Sequence, residues 1–180
     1  MSLERPAGDI WVFGYGSLMW RPNFPHAETQ PARLHGYHRA LCIYSTSYRG
    51  TYEVPGLVFG LDRGGSCHGL AFRVADRDAD EVMGYLYERE MINHVYRPKW
   101  LSATTSAGPV NAYTFVADTS NEQYTGKLDE AETVKLVLQG CGISGTCIEY
   151  LQNTLAHLEE LGIHDRTLAR IVGLARQVDS

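Results

Sequence analysis

Apolar positions follow two different rhythms along this chain. In its first two thirds they come in short runs rich in β-branched and aromatic residues, at 10–13, 40–45, 56–61, 68–74, 100–105 and 110–117, each bounded by turn chemistry, which predicts strands. In the run 68–74, Leu70, Phe72 and Val74 alternate with Gly69, Ala71 and Arg73, the period of a half-buried strand. Asp62-Arg63-Gly64-Gly65-Ser66 and Ala107-Gly108-Pro109 read as turns between strands. The first run stops at Gly14-Tyr15-Gly16-Ser17, and Pro22 and Pro25 forbid a helix directly after it.

The second rhythm is helical. Residues 78–91 place Val82, Met83 and Leu86 at helical spacing, with acids crowded into the first turns where the helix dipole favours them. Residues 129–139 carry Ala131, Val134, Leu136 and Leu138 and meet a stop at Gly140. Thr146-Cys147-Ile148-Glu149 matches a capping box and opens a helix with Ile148, Leu151, Leu155 and Leu158 on one face before Gly162. A last helix over 166–178 follows from Leu168, Ile171, Val172 and Ala175. About six strands with one internal helix, then a helical final third, predict a single α+β domain over 1–180. Its sheet is antiparallel or mixed, and a small closed barrel is one form of it. No repeat or linker divides the sequence.

Composition narrows the function classes. The chain has 180 residues, 44% hydrophobic and 21% charged, with 16 Lys+Arg against 21 Asp+Glu and a net charge of −5. That balance argues against a nucleic-acid or anionic-membrane surface, both of which need a clustered positive excess. No run approaches the roughly 20 apolar residues of a membrane helix, and residues 1–9 lack the apolar core of a leader. Cys42, Cys67, Cys141 and Cys147 form no Cys-x-x-Cys pair, the pattern of reduced thiols in a cytoplasmic protein. His35 and His38 lie in an extended stretch, where residues three apart face opposite ways. No metal site is expected.

Two features could carry chemistry. Gly14-Tyr15-Gly16-Ser17 is not a dinucleotide fingerprint, because no G-x-x-G follows and the prolines remove the helix that would face a pyrophosphate. The nucleophile elbow G-x-S-x-G and the Walker pattern are absent. What is left is either an ordinary tight turn or a loop whose backbone N–H groups around Tyr15, Gly16, Ser17 and Leu18 suit a carboxylate or an oxyanion. The second feature is Glu90. It lies seven residues beyond Met83 and four beyond Leu86, so it falls on the apolar stripe while Glu81 and Glu88 fall on the other side. Such a carboxylate is either paired with an arginine such as Arg97 or is an acid/base whose pKa burial has raised.

Taken together, several segments resemble the ChaC-type gamma-glutamylcyclotransferases. They are Val12-Phe13-Gly14-Tyr15-Gly16-Ser17-Leu18-Met19-Trp20, Pro55-Gly56-Leu57-Val58-Phe59-Gly60-Leu61, Gly64-Gly65-Ser66-Cys67-His68-Gly69, Arg89-Glu90-Met91 with Val95-Tyr96-Arg97-Pro98, Tyr124-x-Gly126, and Glu149-Tyr150-Leu151. They run in order through about four fifths of the chain. The resemblance implies a small mixed β-barrel with flanking helices and cleavage of glutathione into 5-oxoproline and Cys-Gly; the alternative is a cyclotransferase for another γ-glutamyl amine or peptide. It implies a small-molecule substrate and no cofactor, beside the cytoplasmic location read from the cysteines and the charge balance against a nucleic-acid or membrane partner.

It also implies roles. Cyclotransfer needs the glutamyl α-amine to attack its own γ-carbonyl, so the enzyme must hold the chain folded, remove an amine proton and stabilise an oxyanion. By resemblance, Tyr15, Gly16, Ser17 and Leu18 anchor the glutamyl group and Glu90 is the general base. An ordinary Glu near pKa 4.3 facing an amine near 8 is mismatched by roughly 3.7 units, or about 5 kcal/mol. Burial narrows that gap from both sides. Tyr124 is a substrate neighbour by resemblance and otherwise a core or interface aromatic. Arg49 is a partner for a substrate carboxylate or a solvated loop charge. One departure stands at Cys147, where the family more often carries Asn. The remaining alternative is a non-catalytic γ-glutamyl-binding protein on the same scaffold.

Overall fold

The structure, a computed structural model, describes residues 3–180. Met1 and Ser2, which begin the stretch read for a leader, lie outside the described residues. Two compact units emerge from the contacts, Met1–Ala40 with Gly60–Asn121, and Leu41–Phe59 with Glu122–Ser180.

The first unit is built on a barrel. Its strands are β1 (Ile10–Gly14), β2 (Glu28–Ser45), β3 (Gly56–Val74), β4 (Tyr96–Thr105) and β5 (Gly108–Ala117), of which β2 and β3 run on into the second unit. They close in the order β1-β3-β2-β4-β5. β1 pairs antiparallel with β3, Val12 opposite Phe72, and parallel with β5, Trp11 opposite Ala112, so the sheet is mixed. The interior is filled by Phe13, Ala32, Leu34, Leu61, Cys67, Ala71, Ala103, Ala112 and Val116. Alanine recurs in this row because a five-stranded barrel leaves a narrow lumen.

Strand residues of the opposite parity, Ile10, Val12, Phe72, Val74, Tyr113 and Phe115, are buried as well. Facing away from the lumen, they need a cover. Helix α1 (Asp76–Glu90) buries a matching face of Ala79, Val82, Met83 and Leu86, and its Tyr87 lies close enough to Tyr113 to act on its hydroxyl.

Three strand predictions change. The strand expected over 40–45 is only the end of β2, which begins at Glu28. The expected turn at 62–66 is no turn: β3 runs unbroken from Gly56 to Val74, with Gly64 at φ +101° and Gly65 at φ +67°. Paired glycines that read as a hairpin signal here absorb a distortion inside one long strand, which only glycine does without strain. β4 begins at Tyr96 and includes Pro98. Proline is tolerated there because β2 pairs with β4 only from Ala103 to Thr105, so the missing N–H faces no neighbour.

The second unit carries α2 (Glu130–Gln139), the short strands β6 (Cys141–Gly142) and β7 (Gly145–Thr146), α3 (Cys147–Glu160) and α4 (Arg166–Val178). Asp129 caps α2, Asp165 caps α4, and Thr146 and Glu149 form the expected reciprocal capping box on α3. The three helices pack on one another. Among the described residues no helix is long and apolar enough to cross a membrane.

Candidate active site

The glycine loop follows directly from β1. Gly14 closes the strand where a side chain would press on Leu18 Cβ at 3.3 Å and on the Phe72 ring at 3.4 Å. A single 3-10 turn, Ser17–Met19, then reverses the chain. Its bonds use the amides of Met19, Trp20 and Arg21, which donate to the carbonyls of Gly16, Ser17 and Ser17. The amides of Gly16, Ser17 and Leu18 have no acceptor among the described residues. A strand that ends in glycine and turns at once therefore leaves adjacent N–H donors unspent.

Two arginines fix this loop. Arg39 donates from Nε to the Tyr15 carbonyl at 2.7 Å and from Nη2 to the His68 carbonyl at 2.8 Å. Arg89, in the last turn of α1, donates from Nη2 to Ser17 Oγ at 3.2 Å and from Nη1 to the Arg21 carbonyl at 2.8 Å. Its Nε stands 3.6 Å from Glu90 Oε1. One guanidinium thus ties the loop to Glu90.

α1 persists to Glu90, as the stripe argument requires. The Glu90 side chain keeps 25% of its exposure, yet burial pushes its carboxyl above the usual range, against a smaller downward pull from Arg89. The carboxyl is thus desolvated and yet keeps part of its surface exposed. The paired alternative needs correction in its partner. Arg97 does not face Glu90; its Nε lies 2.9 Å from Asp118 Oδ2 and it donates from Nη2 to Ser120 Oγ. The cation beside Glu90 is its own neighbour, Arg89.

Tyr124 and Arg49 belong to the second unit. Tyr124 bridges Ile43 in antiparallel fashion, with Tyr44 N donating to the Gln123 carbonyl. Arg49 donates from Nη1 to the Thr146 carbonyl at 3.2 Å and lies over the Tyr150 ring at 5.3 Å, so a solvated loop charge does not describe it. Cys147 is buried, donating its thiol to the Leu57 carbonyl at 3.1 Å and accepting from the Leu57 amide at 3.4 Å. That is one donor and one acceptor to a single backbone residue, the pair an Asn side chain also offers. Burial pushes this thiol up to about 11. Among the described residues no group of three or more His, Cys, Asp or Glu is placed to hold a metal ion.

Sequence reasoning missed Arg39 and the bridging role of Arg89. Arg89 had a signal in its position beside Glu90 in the final turn; Arg39, midway along a polar strand, had none.

The barrel with its loop and helix has the fold of the gamma-glutamylcyclotransferases. It superposes on the yeast gamma-glutamyl cyclotransferase specific to glutathione with a TM-score of 0.83, at 22% identity, over 97% of this chain and 100% of that one. The sequence model described as ChaC-like protein matches residues 10–178, and the chain belongs to that family. It is 35% identical over 159 residues to the glutathione-specific gamma-glutamylcyclotransferase of Escherichia coli (strain K12), covering 88% of this chain and 69% of that protein. To the human glutathione-specific gamma-glutamylcyclotransferase 1 it is 31% identical over 170 residues, 91% of this chain and 77% of the relative.

Proposed function

We propose that this protein is a gamma-glutamylcyclotransferase acting on glutathione. The glutamyl α-amine attacks the γ-carbonyl, the Cα-side ring closes to 5-oxoproline, and the γ-amide nitrogen leaves as the amine of Cys-Gly. The observation that carries this reading is one guanidinium, Arg89, that holds the glycine loop through Ser17 Oγ and the Arg21 carbonyl while standing beside a desolvated Glu90. In this reading the loop, with Tyr15 and Ser17, holds the glutamyl group by hydrogen bonds that a carboxylate or oxyanion accepts. Glu90 takes the proton from the attacking amine and returns it to the departing nitrogen. No nucleophile of the protein's own is required.

The names of the bacterial and human relatives support glutathione as the substrate. A 31% identical Arabidopsis thaliana relative is named gamma-glutamylcyclotransferase 2-3, without that restriction, which favours testing other γ-glutamyl amides too. Tyr124 is proposed as a further substrate contact on the family resemblance, and Arg49 as a cation for a substrate carboxylate. That one family model spans 10–178 supports both units acting as one functional domain. A cytoplasmic location is proposed from four free cysteines.

Incubating the purified protein with glutathione and identifying products by mass tests the activity. 5-Oxoproline with Cys-Gly is the expected outcome. Free glutamate would mean hydrolysis and would overturn the cyclisation.

A further inference from the structure

The barrel has a recess of about 220 Å³, lined by none of Tyr15, Gly16, Ser17, Leu18 or Glu90. Its origin lies in β4. The inward row of that strand begins as filling, with Leu101 opposite Ala112 and Ala103 opposite Val110. Towards the strand's beginning the same row continues as Lys99, opposite Thr114, and Arg97, opposite Val116. Directly opposed residues on an antiparallel pair share a face, so the lumen changes from apolar to cationic along one strand. β2 pairs with β4 only from Ala103 to Thr105, which leaves the wall open beside the cationic half. The recess therefore lies at the mouth of the barrel, and Leu61 and Val116 of the core are among the residues that line it. Barrel mouths are recurrent ligand sites.

The charges of this mouth do not cancel. Arg97 and Asp118 close on each other at 2.9 Å. Ser120 Oγ donates to Asp118 as well, and these contacts hold that carboxyl down to about 2. Asp62 accepts from the Arg63 backbone amide. Arg63 and Lys99, which also line the recess, have no acidic side chain within ion-pair distance among the described residues. With Arg63, Arg97 and Lys99 against Asp62 and Asp118, the lining keeps a surplus of one positive charge, a local positive site on a chain whose net charge is −5. The volume lies below the usual ~300–1,000 Å³ of drug-sized pockets, which suits a small molecule and not a chain segment.

We propose that the barrel mouth binds a small anion through an oxyanion group, carried by a phosphate or by a carboxylate, with Arg63 and Lys99 as its cationic partners. Arg97 is held by Asp118 and frames the site. The proposal does not rest on the activity proposed above, because the two sites share no lining residue.

Titration calorimetry and two-dimensional NMR on the full chain test it, with inorganic phosphate, succinate and sodium chloride compared at matched ionic strength. Phosphate or succinate should bind saturably, with shifts gathered at Lys99, Arg63 and residues 118–120. Binding of phosphate alone assigns the site to phosphate carriers, binding of succinate alone to carboxylates, and either supports the proposal. Arg63→Ala with Lys99→Ala should weaken binding at least tenfold, while Lys127→Ala in the second unit should leave it unchanged. Chloride acting as well as both anions, or shifts gathered at residues 16–18, would overturn the proposal. The shift map stands even if the double variant does not fold.

Discussion

The Arg89 guanidinium approaches the Glu90 carboxylate to 3.6 Å without hydrogen-bonding to it, and spends its donors on Ser17, Arg21 and Tyr85 instead. A cation at that distance lowers a carboxyl's pKa, but a direct charge-assisted hydrogen bond would lower it much further. Burial therefore wins, and the Glu90 carboxyl stays above its usual range. The same arginine that holds the loop thus leaves the Glu90 carboxyl above its usual range, as the proposed base requires.

Glu90→Gln keeps shape and removes the proposed base. Turnover of glutathione should fall at least ~100-fold, the low end of general-base contributions, with substrate binding retained. Near-normal turnover in a steady-state assay would remove Glu90 from the mechanism.

The same variant has a stability signature. The folded protein holds the Glu90 proton more tightly than the unfolded chain does, so the folded state binds more protons between the two pKa values. Stability then falls as pH rises from the ordinary carboxylate range through the raised folded value, and the full cost is present above it. Glu90→Gln should raise Tm at neutral pH and lose that advantage in acid. Equal Tm differences at both pH values would contradict the raised pKa.

Arg89→Ala removes the one charge that lowers the Glu90 pKa. The acid limb of the kcat/KM profile should move to higher pH. Loss of the contact to Ser17 should also cost about tenfold in kcat/KM, the scale of one hydrogen bond from a charged group. Arg89→Lys should restore the limb better than it restores the loop.

Tyr113 carries a hydroxyl that is fully buried and has no hydrogen-bond partner. Burial, helped by Tyr87, pushes it up to about 12. Tyr113→Phe removes an unsatisfied polar atom and keeps the ring stacked against Trp100 and Phe115. Stability should rise by about 1 kcal/mol, or roughly 2–4 °C in Tm for a chain of this size. A fall in Tm would show that the hydroxyl has a partner in solution.

Gly69 faces the loop from β3. A side chain there would stand 2.2 Å from the Gly14 carbonyl oxygen and 2.8 Å from the Phe13 ring. Backbone cannot yield as a side-chain tip can. Gly69→Ala should cost about 3 kcal/mol and lower activity together with Tm. Gly84→Ala on α1, where nothing lies within 4 Å, is the control and should be neutral or mildly stabilising in thermal unfolding.

What the sequence by itself determined were the features set by near neighbours. Strand and helix periods depend on residues two to four apart, capping boxes on residues three apart, and the Glu90 stripe on one helix. These were legible, and α2, α3 and α4 begin and end within a residue or two of expectation. Tertiary structure alone decided the rest, because it depends on pairs distant along the chain. Gly64 and Gly65 could not show whether the strand would stop or bend until β2 ran alongside. Arg97, Arg89 and Arg39 are alike as letters, yet one pairs with Asp118, one joins Ser17 to Glu90, and one holds the Tyr15 carbonyl. Partner choice among identical charges is settled by where the barrel closes, and closure is a property of registers between strands, which no local period encodes.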